Sequence, residues 1–224
     1  MRVLSVDLGT RNLAWCVLTK SKDDSLCHAP FNKCKADIHA WRLVDISNGS
    51  TDNMNDIDIA TCVPWFVKTI RDHFLEMTDN VDVAFIEAQP TARVIGPGKS
   101  VNNVKTKVLS HILQALLLDA HIPVKFVSPS KKLKDAVMAN PEKYRDHKTA
   151  AVKLTDIASS SLGEWGVWWT SQKGKKDDLA DAFLQAMYAS YKEPSAKKRV
   201  AKKPKLSVVI SAPEFVLEDD DESL

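Results

Sequence analysis

Four carboxylates stand where packing alone has little use for them. Asp7 follows the apolar run Val3-Leu4-Ser5-Val6, and Glu87 closes the β-rich run at residues 81–86. Each ends a short strand pattern and precedes a bend, at Gly9 and at Pro90. Asp178 and Asp181 are three apart in Lys175-Lys176-Asp177-Asp178-Leu179-Ala180-Asp181-Ala182-Phe183, so on a helix they share a face. Acids in a first turn have an ordinary explanation, since a helix N-terminus favours negative charge. The neighbours Leu179, Ala180, Ala182 and Phe183 are packing types, however, and place Asp181 partly inside, where a lone charge is costly. If the two strands are neighbours and the helix packs across them, the four acids meet. Such a cluster repels itself unless divalent cations neutralise it, and hard oxygen ligands suit Mg²⁺ or Mn²⁺. Two such ions bridging a phosphodiester activate a water on one side and stabilise the leaving oxygen on the other. The chemistry expected of these residues is phosphodiester hydrolysis in a nucleic acid.

The elements that must carry these residues can be read from the same pattern. Residues 13–18 resume the apolar run after the Gly9 turn, giving two strands joined tightly. Residues 20–35 are polar and lysine-rich and read as a loop; residues 36–46 alternate as a third strand. Ile59, Val63, Phe66, Val67, Ile70, Phe74 and Leu75 recur at helical spacing over residues 56–77, with Pro64 as a start or a kink. Residues 91–100, containing Gly96-Pro97-Gly98, are expected to form a loop beside Glu87. A long helix is expected over residues 101–120, with Val104, Val108, Ile112, Ala115 and Leu116 on its core face, then a strand over 123–127. Helices are expected over 147–162 and 175–191. Strands in succession followed by alternating helices and strands indicate an α/β layered domain, a mixed sheet with helices on both faces.

Composition sets the class. The 224 residues are 44% hydrophobic and 27% charged, as in ordinary globular proteins, and suffice for one substantial domain with an appendage. No run approaches a membrane span and the start has no signal-peptide layout, so an intracellular protein with no membrane partner is expected. Four cysteines fit a reduced compartment. Cys27, Cys34 and His39, with Cys62 or His28, match no standard zinc spacing, and free cysteines are the better reading. The net charge of +2 hides an asymmetric tail. Residues 192–205 carry seven bases against Glu193, and residues 214–224 carry six acids and no bases. Residues 1–191 are therefore expected to fold as one domain and 192–224 to be a disordered tail. The basic run reads as a nuclear localisation signal or a DNA arm, shielded in cis by the acids. Unchanged import and salt dependence after removal of residues 192–224 contradict both readings.

The motifs also carry a resemblance. Asp-Leu-Gly-Thr-Arg-Asn-Leu-Ala (7–14), Ile-Glu-Ala-Gln-Pro (86–90), Val-Ser-Pro-Ser-Lys-Lys-Leu (127–133) and Lys-Lys-Asp-Asp-Leu-Ala-Asp-Ala-Phe-Leu-Gln (175–185) resemble the RuvC-type Holliday junction resolvases. Within that family the chain is most similar to the subgroup of large eukaryotic DNA viruses (poxvirus and iridovirus type), which is related to the fungal mitochondrial enzymes. The motifs occur in family order from residue 3 to about 190. The resemblance implies an RNase H-like fold with a mixed five-stranded sheet flanked by helices. It also implies a homodimer and paired, religatable nicks across a four-way DNA junction. It assigns two Mg²⁺ ions, replaceable by Mn²⁺, to Asp7, Glu87, Asp178 and Asp181, and implies work at sites of DNA replication for a protein of viral origin. One departure is local: viral relatives have a run of bases before the penultimate helix, where this chain has Asp146-His147-Lys148. Lys148 is left as the base that approaches the scissile phosphate.

Phosphate contacts are expected from residues around these motifs. Arg11 follows Asp7 in a turn where Gly9 lets a phosphate approach backbone. Lys99, Lys105 and Lys107 surround the start of the long helix, whose N-terminal amides also suit phosphate. Lys131, Lys132 and Lys134 follow a strand toward the same cleft. Each lysine alone reads as a solvated side chain; together they supply the counterion release of a junction-binding surface. Trp165, Trp168 and Trp169 can stack on unpaired bases, but core packing is the commoner fate. Three other functions compete. Asp-x-Gly-Thr also opens the phosphate hairpin of actin-like ATPases, yet a second Asp-x-Gly loop is missing. A non-catalytic junction scaffold typically loses acids from the cluster, and a nuclease on RNA–DNA hybrids or other branched DNA would use the same fold and metals.

Overall fold

The opening apolar runs form a hairpin in the computed structural model, which describes residues 1–20, 36–47, 58–90, 92–96, 99–128 and 144–192. β1 (Arg2–Leu8) and β2 (Asn12–Lys20) pair antiparallel, from Arg2 opposite Thr19 to Leu8 opposite Leu13. β3 (Ala36–Asp45) adds antiparallel to β2. The chain crosses through α1 (Ile59–Thr78) and returns as β4 (Val83–Glu87), parallel to β1, with Val6 opposite Ile86. β5 (Ala92–Gly96) and β6 (Lys99–Asn102) make a separate hairpin. α2 (Val104–Asp119) then leads to β7 (Val124–Val127), parallel to β4. The last described elements are α3 (Tyr144–Ser159), α4 (Glu164–Ser171) and α5 (Lys176–Lys192). The sheet runs β3-β2-β1-β4-β7, the mixed five-stranded sheet expected.

Period-two alternation sorts the side chains of β1 and β2 onto two cores. Leu4, Val6, Leu8, Leu13, Trp15 and Val17 face α1 and α2, meeting Phe66, Ile70, Leu109, Leu113 and Leu117. Ala14, Cys16, Leu18 and Trp41 face α3, α4 and α5, meeting Ala151, Trp169, Leu179, Phe183 and Met187. β2 is therefore buried on both faces, as its nearly continuous apolar sequence requires. Trp41 anchors the second core: its ring stacks on Trp169 at 5.1 Å and on Phe183 at 5.0 Å, and its indole N–H donates to the Leu179 carbonyl at 3.0 Å. Trp165 donates to the Ile38 carbonyl and Trp169 to Asp156. These two tryptophans are packing and hydrogen-bonding groups of the fold.

Several elements differ from the sequence reading. The expected loop over residues 91–100 contains the β5–β6 hairpin, and the strand β6 takes the residues that were to open the long helix. α2 buries Thr106, Leu109, Ser110, Leu113 and Leu117, while Ala115 is exposed. The stripe of Val104, Val108, Ile112 and Leu116 is only partly covered. A helix apolar on two sides does not declare which side the sheet takes. Pro64 neither starts nor ends α1: Asp58 caps the helix, accepting from the Ala60 amide at 3.2 Å, and Pro64 lies inside it. Cys16 is buried on β2 and Cys62 on α1, both free thiols, and His39 hydrogen-bonds Thr19. Burial alone pushes the Cys16 thiol far up. Cys27, Cys34, His28, Lys131, Lys132, Lys134 and the tail from residue 193 lie outside the described residues. No helix among the described residues is long and apolar enough to cross a membrane.

Candidate active site

Register places the first two acids side by side. Because Ser5 lies opposite Phe85 and Val6 opposite Ile86, Asp7 and Glu87 are the next residues along neighbouring parallel strands. Alternation puts Asp7 on the face of Val3 and Ser5, and Glu87 on the face of Val83 and Phe85. Asp7 lies opposite Ala14, which packs in the core beneath α5. Both carboxylates thus emerge at the C-terminal ends of parallel strands on the α5 side, the customary position of ligand sites in such sheets.

α5 lays a polar stripe over the same seam. Its buried Gln185 donates from Nε2 toward the Phe85 carbonyl at 3.3 Å and the Val6 carbonyl at 3.5 Å, straddling β1 and β4. Asp181 lies one turn nearer the helix start, on the same face and about 6 Å along the axis. The helix start lies at the strand ends, since Asn12 at the head of β2 donates to Asp178 Oδ2 at 3.2 Å. Gln185, Asp181 and Asp178 therefore step in turn along the seam toward the strand ends that carry Asp7 and Glu87. Asp178 is the more enclosed of the two helical acids, at 8% exposed, and Asp181 is half-buried.

Two ammonium groups sit on these acids. Lys175 Nζ donates to both oxygens of Asp178, at 3.0 and 2.7 Å. Lys148, on α3, donates to Asp177 and stands 3.8 Å from Asp178 Oδ1. Partial burial pushes the Asp177 carboxyl up, but the Lys148 hydrogen bond and the charges of Lys148 and Lys175 outweigh it and hold the group below its ordinary value.

The surrounding bases divide. Arg11, about half exposed, leans on Asp45 at 3.5 Å, and the Gly9 amide closes the turn on the Asn12 carbonyl at 2.9 Å. Gln89 donates to the Leu8 carbonyl at 3.1 Å and accepts from the Asn103 side chain at 3.2 Å. That relay draws the N-terminus of α2, with Lys105 and Lys107 in its first turn, to the acid end of the sheet. Asn103 makes no side-chain cap bond there. Lys99 lies on β6.

The donor set fits hard divalent cations in its chemistry, since all four candidates are carboxylates; of the four, Asp178 is held by lysine ammonium groups. The set is not drawn into a coordination shell, because among the described residues no three His, Cys, Asp or Glu side chains are grouped to hold a metal ion. Asn12, Gln185, Asp177 and Lys175 were not singled out from the sequence as working groups. Only the dense charge of Lys175-Lys176-Asp177-Asp178 signalled that basic and acidic side chains would share one end of a helix.

No protein-family model and no curated protein matches the chain by sequence. Solved structures match by shape. The Fowlpox virus resolvase complexed with Holliday junction DNA superposes with a TM-score of 0.54 at 16% identity, covering 85% of this chain and 97% of its own. Thermus thermophilus RuvC gives 0.54 at 16%, covering 85% and 95%. The yeast mitochondrial Holliday junction resolvase gives 0.53 at 20%, covering 84% and 76%. This chain has the RNase H-like fold seen in the RuvC resolvase structures, with its acids at the strand ends of that fold.

Proposed function

We propose that the protein is a structure-selective endodeoxyribonuclease that resolves four-way DNA junctions by paired, metal-dependent hydrolysis. The observation that carries this reading is the juxtaposition of Asp7 and Glu87 on neighbouring strand ends beneath the Asp178–Asp181 stripe of α5. Structures of the same fold have been solved with Holliday junction DNA, which supports the substrate class.

Asp7, Glu87, Asp178 and Asp181 would hold Mg²⁺, or Mn²⁺ in its place, two ions to a site; when bound, the metal supplies Lewis acidity at the scissile phosphate and a water of lowered pKa. The rest falls to the chain itself. Gln185 ties together the two strands that carry Asp7 and Glu87, keeping their carboxylates in step. The Gln89–Asn103 relay holds the α2 N-terminus, with Lys105 and Lys107, where phosphates of an incoming arm are met. Arg11 extends that positive rim; Lys99, Lys131 and Lys132 are assigned to phosphate contact from the sequence alone. Lys148 places an ammonium beside the acids, where it can neutralise charge on the cleaved phosphate. A second copy of the chain, as a homodimer, cuts the opposite strand.

The experiment compares a four-way junction, a plain duplex and an RNA–DNA hybrid in Mg²⁺. Symmetric, religatable nicks in the junction alone are expected; cleavage of the hybrid or of duplex at equal rate overturns the substrate. Asp7→Asn is expected to lower junction cleavage at least ~10³-fold while binding persists. Full activity in that variant overturns the metal site, and binding without cleavage by the unaltered protein points to a scaffold.

A further inference from the structure

We infer that Lys175 and Lys148 form an ammonium lock on Asp178 which a divalent cation must displace to enter. The inference deepens the reading above and rests on it. A carboxylate offers about four acceptor positions. Three of those of Asp178 are met, by Lys175 at both oxygens and by Asn12 at Oδ2, and the Lys148 ammonium stands 3.8 Å from Oδ1. With Lys148 also on Asp177, two ammonium groups and two carboxylates make a neutral quartet. A divalent cation that approaches this nearly buried carboxylate meets two ammonium charges beside it, and takes it as a ligand only when they give way.

The position of Lys175 argues that this arrangement is specific. Lys175 immediately precedes α5, and the positive end of a helix repels a cation. Lys176, one residue on, settles instead 4.8 Å over the ring of Trp169. Lys175 stays because Asp178 holds it. Its side chain is about half exposed and that of Lys148 about a third, so each has a path to water when displaced. Once released, both ammonium groups stand at the rim of the acid cluster, where a phosphate oxygen is their next partner. Metal entry and phosphate capture are thereby coupled: the ion expels the two cations that the phosphate then takes up. Lys175 acts through Asp178 and is a positioning residue.

The test needs no DNA and uses the full chain with Mn²⁺ alone, titrated by calorimetry at 0.1 M salt. Lys175→Met is expected to bind Mn²⁺ about fivefold more tightly than the unaltered protein, the scale of one partly exposed ion pair. Lys176→Met removes the same charge without touching Asp178 and is expected to shift affinity less than ~2-fold. Lys175→Arg, which keeps the cation, is expected to restore the original affinity. The metal-free melting temperature of Lys175→Met is expected to fall, and saturating Mn²⁺ to raise it by more than in the unaltered protein. Unchanged affinity in Lys175→Met, or equal tightening in Lys175→Met and Lys176→Met, overturns the lock. Absence of Mn²⁺ binding sensitive to Asp7→Asn overturns the metal site and the lock with it. Mn²⁺ binding that Lys175→Met tightens, in a protein that cuts no junction, upholds the lock and overturns the nuclease reading.

Discussion

Asp45 shows how a single carboxylate can tie the rim of the site to the sheet. It accepts from the Ser47 amide at 2.6 Å and pairs with Arg11 across the strand ends. Partial burial pushes its carboxyl up, but the hydrogen bonds with Ser47 and the Arg11 charge prevail and hold it below its ordinary value. A depressed carboxylate adds stability above the unfolded value of about 3.9 and loses it as pH falls through the lower, folded value. The urea midpoint of the unaltered protein should therefore exceed that of Asp45→Asn near neutrality, with the gap closing below about pH 4. A gap that persists unchanged in acid contradicts the pairing. At this scale the sequence was informative about residues that break a pattern. Asp7 and Glu87 each interrupt an apolar alternation, and that irregularity is visible without coordinates. Lys175 and Asn12 break no pattern; their partners are three and 166 residues away, and only packing brings the second pair together.

Elements were legible where one face alone is apolar or where both are. β1, β2, β4 and α5 lie near their expected positions because their apolar runs have one reading. The β5–β6 hairpin did not announce itself, since Gly96-Pro97-Gly98 reads as loop whether or not strands flank it. α4 was missed because three tryptophans in eight residues give no periodic face; it is held by tertiary contacts, with Trp169 stacked on Trp41 and Trp165 tied to β3. That dependence is testable at Gly166, where α4 crosses the end of α3. A Cβ there would run into the Ser159 carbonyl, which is backbone and cannot swing aside. Gly166→Ala should destabilise the protein by about 1–3 kcal/mol, the usual cost of overpacking, read as a lower urea midpoint. No change would mean that α3 and α4 do not meet as described.

At the scale of the molecule, each chain supplies one set of the acids assigned to the proposed site, so the symmetric cuts proposed above would call for two chains. Mixtures of unaltered and Asp7→Asn subunits, allowed to exchange, should yield junctions nicked in one strand, in proportion to the mixed dimers. Exclusively paired nicks from such mixtures contradict the homodimer. The connectivity that assembles each set has a further consequence. The sheet is complete once β7 has emerged at Val127, whereas Asp178 reaches Asn12 and Gln185 reaches the β1–β4 seam only after the chain has passed residue 176. Helix α5 is thus the final described element to be synthesised and closes contacts that span most of the chain, the kind that form slowly. During translation the protein passes through a stage with a sheet but half its acids. Two of the four acids assigned to the proposed metal site arrive only with this helix, so a prematurely terminated chain would lack half of that site.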